Sequence, residues 1–317
     1  PGEWEDTLAQ QIASRKIPLI VAANKSDLAS AAGWEAWAAE RKLPFTSVSA
    51  LTGENIERLK GLIVTHAPSS LSEPVILSDL ISPGDVVVLC TPIDQAAPKG
   101  RLILPQVMTI REILDSGAIS VVARERELLQ AIKSLGRPPK LVVTDSQAFL
   151  KAVADTPPEV LFTSFSILMA RYKGDLEGFV RGSKAIDRLR TGSRVLIAEA
   201  CTHHTQPDDI GSVQIPRWLR QYVGGDLDIG FANGRDFPKD VSSYELIIHC
   251  GSCMLNRREV VWRQHQAAEL GIPMTNYGVS LAKVHGILDR ALEPFPLAKL
   301  ALSESEESDR AWRPLRA

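Results

Sequence analysis

YELIIHCGSCMLNRREVVWRQHQAAELGIPMTNYG, residues 244–278, holds the pattern that decides the fold. An apolar run (Tyr244–Cys250) ends in a short loop with two cysteines. A helical segment follows, and then a second apolar run at residues 271–278. That rhythm belongs to parallel strands joined by crossover helices. It extends in both directions. Further strands are expected in IPLIVAANKSD (17–27), LPFTSVSA (43–50), AISVVAR (118–124), KLVVTDS (140–146), RVLIAEAC (194–201) and DLDIGFA (226–232). Helices are expected in AAGWEAWAAERK (31–42), ENIERLKGLI (54–63), ERELLQAIKSLG (125–136) and QAFLKAVAD (147–155). In ENIERLKGLI, Ile56, Leu59 and Ile63 share one helical face. The fold class expected is α/β, as three consecutive units with mainly parallel sheets. Their bounds are 1–67, 75–170 and 171–317, with the Ser/Pro-rich HAPSSLSEP (66–74) at the first boundary.

Bulk properties agree with ordinary globular domains. The chain has 317 residues, 44% hydrophobic and 23% charged, with net charge −2. A near-zero charge gives no general attraction to nucleic acid or membrane surfaces, so neither is an expected partner. No apolar run reaches the roughly 18 residues of a membrane span, and no signal peptide opens the chain. Four cysteines do not make a secreted disulfide framework. A cytoplasmic location is expected. The chain begins with Pro1 in what reads as the middle of a domain, so a fragment of a longer protein is expected.

Two motifs at successive strand ends read as guanine recognition. NKSD (Asn24–Asp27) follows one strand and SVSALTGENI (47–56) the next. The Asp27 carboxylate can accept from guanine N1–H and the exocyclic amine, a pair that adenine does not offer. Asn24 can meet the Hoogsteen edge, the Lys25 stem can cover the base, and backbone N–H near Ser49 and Ala50 can reach O6. The bland alternative is helix capping by Asn24 and Asp27. No phosphate-binding GKS or GKT occurs in the chain, so no catalytic residues are assigned and GTPase activity is not expected of these residues alone. DLEG (175–178) imitates a switch motif but sits in a helical context and is discounted.

The cysteines form a second constellation. Cys201 and His203 follow one apolar strand; His249, Cys250 and Cys253 follow another, in the order C-x-H, then 45 intervening residues, then H-C-x-x-C. Carboxyl ends of parallel strands share one edge, where ligands bind. Three uses remain open from the residues alone: a redox dithiol at a helix start, a structural zinc, or an iron–sulfur cluster held by three thiolates. Cys90, in VVVLC, reads as a small core residue.

The C-x-H…H-C-x-x-C pattern downstream of a GTPase-like segment resembles the HydF family of [FeFe]-hydrogenase maturation GTPases. APKGRLILPQ (97–106), TSFSILMARYKGDL (163–176), IPRWLRQYVGG (215–225) and NYGVSLAKVHGILDRAL (276–292) support the resemblance, which covers nearly the whole chain apart from the first half of the GTPase domain. It implies a partial P-loop GTPase domain (1–67), a dimerisation domain (75–170) and a cluster-binding domain (171–317). It implies a [4Fe–4S] cluster on Cys201, Cys250 and Cys253, with Asp94, His203 or His249 as fourth ligand and His204 a poorer choice. It implies a scaffold and carrier of a transient di-iron subcluster. The implied partners are a second copy, apo-[FeFe]-hydrogenase and two radical-SAM maturases, with GTP, GDP and Mg²⁺ acting in the full-length protein. A GTP-binding regulator with structural zinc, or a thiol oxidoreductase, are the rival functions. Lys99, Arg101, Arg171 and Lys173 could meet cyanide ligands or an acidic partner, or be solvated surface.

Overall fold

The computed structural model describes residues 1–14, 18–66, 74–93, 101–200, 209–234, 237–238 and 240–304. It divides the chain into two compact units, residues 1–73 and residues from 74 onward. The first unit holds α1 (Glu3–Ser14), β1 (Val21–Ala23), α2 (Ala32–Glu40), β2 (Phe45–Ser47) and α3 (Ile56–His66). β1 and β2 pair in parallel, with Val21 opposite Phe45 and Ala23 opposite Ser47. Trp37 Nε1 donates to Asp6 Oδ1 at 2.9 Å and ties α2 to α1.

The second unit starts with β3 (Val86–Cys90), α4 (Leu104–Asp115), β4 (Ile119–Ala123), α5 (Leu128–Ser134), β5 (Leu141–Thr144), α6 (Phe149–Asp155), β6 (Leu161–Ser164), α7 (Phe165–Lys173) and α8 (Leu176–Ser183). It continues with β7 (Arg194–Glu199), α9 (Ile215–Val223), β8 (Asp228–Asn233), β9 (Leu246–His249), α10 (Arg257–Glu269), β10 (Met274–Asn276), α11 (Tyr277–Val284), α12 (Leu288–Ala291) and α13 (Pro296–Ser303). Two four-stranded sheets result, ordered β4-β3-β5-β6 and β10-β9-β7-β8. Every pairing in them is parallel. The protein is therefore α/β with parallel sheets, as the alternation of apolar runs and helices predicts.

The inner strands show why. Val87–Cys90, Leu141–Val143 and Leu246–Ile248 are wholly buried. Helices cover both faces of such a sheet, so unbroken apolar runs replace alternation. Each buried Val, Leu or Ile contributes roughly 1.5–3 kcal/mol. Both sheets drain into one contiguous hydrophobic cluster. They meet where β6 passes into α7 and β10 into α11: Asn276 Nδ2 donates to Ser166 O at 2.9 Å. Asp175 caps α8 by accepting from Gly178 N at 3.1 Å, so DLEG is a helix start. Among the described residues, no helix is long and apolar enough to cross a membrane.

α8 lies directly on β10. A Cβ on Gly182 would fall 2.0 Å from the Met274 carbonyl oxygen and 2.5 Å from its carbon. Backbone cannot step aside as a side chain can. Gly182→Ala is expected to destabilise the second unit by about 1–3 kcal/mol or more. Thermal unfolding followed by circular dichroism checks this, and an unchanged midpoint would contradict the close packing.

Candidate functional site

The first unit brings together the two strand-end motifs, NKSD and SVSALTGENI. Asn24 Oδ1 accepts from Ala50 N at 3.1 Å and from Lys25 N at 2.8 Å. Ser49 Oγ donates to Asp27 Oδ1 at 2.5 Å and accepts from Thr52 N at 3.2 Å. Ser26 N donates to Val48 O at 3.0 Å, stitching one loop to the other strand's end. Lys25 takes left-handed backbone, φ 67°, which turns the loop. Asn24, Lys25, Asp27, Ser49 and Ala50 thus sit together at the carboxyl ends of the paired strands β1 and β2.

In the second unit, strand register sets the end of β7, the strand that precedes Cys201, beside the end of β9, which leads into the CGSC loop. β7 and β9 are neighbours, with Ala198 opposite His249. Cys250 N donates to Ala198 O at 2.9 Å. Cys250 Sγ accepts from Ala200 N at 3.0 Å and from Ser252 N at 3.4 Å. The Cys250 sulfur therefore lies against the chain one residue before Cys201. Cys201, His203 and His204 fall outside the described residues, as do Asp94 and Lys99. Cys250 is buried and Cys253 half-buried, and among the described residues no cysteine is in a disulfide. Among the described residues no group of three or more His, Cys, Asp or Glu side chains could hold a metal.

His249 is fully buried. Its Nε2 lies 3.0 Å from Arg263 Nη1, and its Nδ1 lies 3.0 Å from Cys250 O and 3.1 Å from Ser252 Oγ. A guanidinium only donates, so Nε2 accepts and the ring proton sits on Nδ1, facing the Cys250 carbonyl. Burial pushes the His249 pKa down to about 4, with a further push from the Arg263 charge. The imidazole is neutral and both nitrogens are engaged. To serve as fourth ligand it would have to surrender one of these bonds. Ser252 sits in left-handed backbone, φ 59°, which folds the CGSC loop back so that its N–H meets Cys250 Sγ.

The loop is anchored from behind. Lys173 Nζ donates to Leu255 O at 2.9 Å. Arg257 Nη1 donates to the carbonyls of Arg171, Tyr172 and Gly174 at 2.9, 2.9 and 2.8 Å, closing the end of α7. Arg171 itself pairs with Asp79 and donates to Ile76 O at 3.2 Å. Arg171 and Lys173 are thus engaged within the fold. At the neighbouring strand end, Tyr277 OH donates to Glu199 Oε1 at 2.9 Å, and Gly234 N to Glu199 O at 2.7 Å.

The residues that sequence reasoning overlooks are Arg263, Ser252 and the backbone N–H of Ala200. Arg263 had a signal. With Val260 and Ala267 buried, helical spacing puts positions 263 and 264 on the same inward face. Cys90, expected as core, is fully buried, and burial raises its pKa to about 11.

Two family models match the chain: the hydrogen maturase F dimerization domain over residues 76–174 and the hydrogen maturase F tetramerization domain over residues 177–294. No curated protein matches the chain. Among solved structures, an NtrC family transcriptional regulator from Clostridium acetobutylicum aligns at 7% identity, covering 69% of this chain and 99% of its own, with a TM-score of 0.22. A score that low carries no argument about fold.

The cysteines are expected to differ sharply in reactivity. In the native metal-free chain at pH 8, iodoacetamide should modify Cys253 well ahead of Cys90, whereas the unfolded chain should react at all four positions. Peptide mass spectrometry reads the order. Equal rates at Cys90 and Cys253 in the native chain would contradict the burial described.

Proposed function

The chain belongs to the hydrogen maturase F family, and on that premise we propose that it is a scaffold and carrier in [FeFe]-hydrogenase maturation. Its thiolates Cys201, Cys250 and Cys253 hold a [4Fe–4S] cluster. One contact carries this reading: Ala200 N–H on Cys250 Sγ at 3.0 Å, which puts the strand end leading to Cys201 against the CGSC loop. The donor set suits the group. Soft thiolates favour iron–sulfur chemistry, and backbone N–H bonds to a ligand sulfur are the usual support for such a cluster. When bound, a cluster on three thiolates offers one iron with a position for an exchangeable ligand. His203 and Asp94 are the preferred fourth ligands, because His249 is committed on both nitrogens.

The chain's own residues do the holding. Ala200 N–H and Ser252 N–H stabilise negative charge on Cys250 Sγ. Lys173 and Arg257 fix the loop and the start of α10. Half-buried Cys253 and exposed Met254 lie on the open side, where a di-iron precursor would arrive as substrate. The precursor comes from two radical-SAM maturases and leaves to apo-hydrogenase, in the cytoplasm. In the first unit, Asn24, Lys25, Asp27, Ser49 and Ala50 read guanine. GTP hydrolysis, with Mg²⁺, is assigned to a parent protein that carries the phosphate-binding half, and it regulates partner exchange. Residues 1–67, 75–170 and 171–317 serve as partial GTPase, dimerisation and cluster domains.

The family domains make the chain self-associating. The open edge at β4 suits a second copy. β4 ends its sheet, and Ile119 and Val122 on it are 49% and 46% exposed. An unpaired strand edge with exposed apolar residues recruits another strand. Val122→Lys should therefore lower the assembly state by one step in light scattering, with circular dichroism unchanged. An unaltered assembly state would rule out the β4 edge.

Carriage is tested by anaerobic reconstitution with iron and sulfide, followed by loading with precursor and mixing with apo-hydrogenase. The wild-type chain should turn brown and restore hydrogen evolution. Cys250→Ser should lose most of the iron and the transfer. A colourless chain that holds one zinc instead would sink the proposal.

A further inference from the structure

The strongest unexplained feature is a buried cation behind the cysteine loop. Arg263 is 1% exposed. Its Nε meets Glu259 Oε1 at 3.1 Å, Nη1 meets His249 Nε2 at 3.0 Å, and Nη2 donates to Gly234 O at 3.2 Å. Its guanidinium lies 4.9 Å from the Phe237 ring centroid. Burying a charge is costly unless the surroundings repay it. The carboxylate described on Arg263 is Glu259, itself 24% exposed. A fold that needed only to fill this space would use an apolar side chain.

The geometry leads from the guanidinium to the sulfur. Arg263 Nη1–H donates to His249 Nε2; His249 Nδ1–H donates to the Cys250 carbonyl; and Cys250 Sγ accepts two backbone N–H groups. Each donor in this chain points its positive end toward the cysteine loop. Aligned hydrogen bonds polarise one another, and in a low dielectric the effect is strong. A cluster on three thiolates is net negative, and becomes more so on reduction. Cluster potentials are set by net charge, hydrogen bonds to sulfur and solvent exposure.

We propose that Arg263, acting through His249, is a positioning residue that stabilises the reduced cluster and raises its reduction potential. The inference rests on the carrier reading above and deepens it. Arg263 touches no proposed ligand; it acts through the imidazole, which it locks in the tautomer that donates to the loop carbonyl.

The test uses the whole chain reconstituted anaerobically with iron and sulfide, as wild type, Arg263→Gln, Arg263→Lys and His249→Asn. Iron per chain is measured first. Dithionite titration followed by electron paramagnetic resonance then gives the potential and the spectrum of the reduced cluster. Arg263→Gln should shift the potential down, with Arg263→Lys between it and wild type because the charge is kept but the fork is lost. His249→Asn keeps a donor for the loop carbonyl but does not reach Arg263, and should also shift the potential down. Where Arg263→Gln fails to fold by circular dichroism, His249→Asn decides alone. Variants with full iron, wild-type potential and wild-type spectrum overturn this inference and leave the carrier reading standing. A wild-type chain that takes up no cluster overturns both.

Discussion

The parallel pairing of β7 with β9 is the constraint on which the rest of the candidate site depends. Its register sets Ala198 opposite His249 and puts Cys250 N on Ala198 O. The side-chain period of a strand is two, so a slip by one residue would turn His249 to the other face of the sheet. Leu246, Ile247 and Ile248 are wholly buried, and a slip would carry the exposed Glu245 or the polar His249 into one of their apolar places. From that register follows the Ala200 N–H contact to the Cys250 sulfur, which sets the end of β7 against the CGSC loop.

A second layer fixes what the register positions. His249 is neutral because burial disfavours its charged form and Arg263 occupies its Nε2. The layer is a satisfied polar network inside an apolar shell: every described polar contact of Arg263 and His249 goes to a partner in the chain. Such networks specify one arrangement when complete. Removing one member typically costs about 3–5 kcal/mol when it strands a buried charge. The CGSC loop is therefore held from both sides, by this network and by the Lys173 and Arg257 bonds that join it to the end of α7.

Much of the architecture is legible in sequence for a simple reason. Parallel strands buried on both faces must be apolar throughout, and VVVLC, LVVT and LIIH are such runs. The grouping of Asn24, Lys25, Asp27, Ser49 and Ala50 is legible because two parallel strand ends fix their loops side by side. The role of Arg263 is harder to read. NRREVVWRQHQAAEL has the charge pattern of a solvated helix, and Glu259 with Arg263 looks like an exposed i,i+4 pair. The spacing from apolar Val260 and Ala267 is the one counter-signal, and the tertiary fold is what turns that face inward toward His249. Arg171 and Lys173 mislead in the same way: their charge suggests anion binding, yet their donors satisfy carbonyls and a carboxylate inside the unit. Asp94, His203 and Cys201 lie outside the described residues, so the fourth ligand rests on chemistry rather than geometry.

The central claim is that two strand ends converge three thiolates on one cluster and leave one iron distinct. The Mössbauer spectrum of the anaerobically reconstituted wild-type chain tests it most directly. The account predicts two iron environments in a three-to-one ratio, the minor one altered when a small exogenous ligand is added. A spectrum with all irons equivalent and indifferent to added ligand would contradict it.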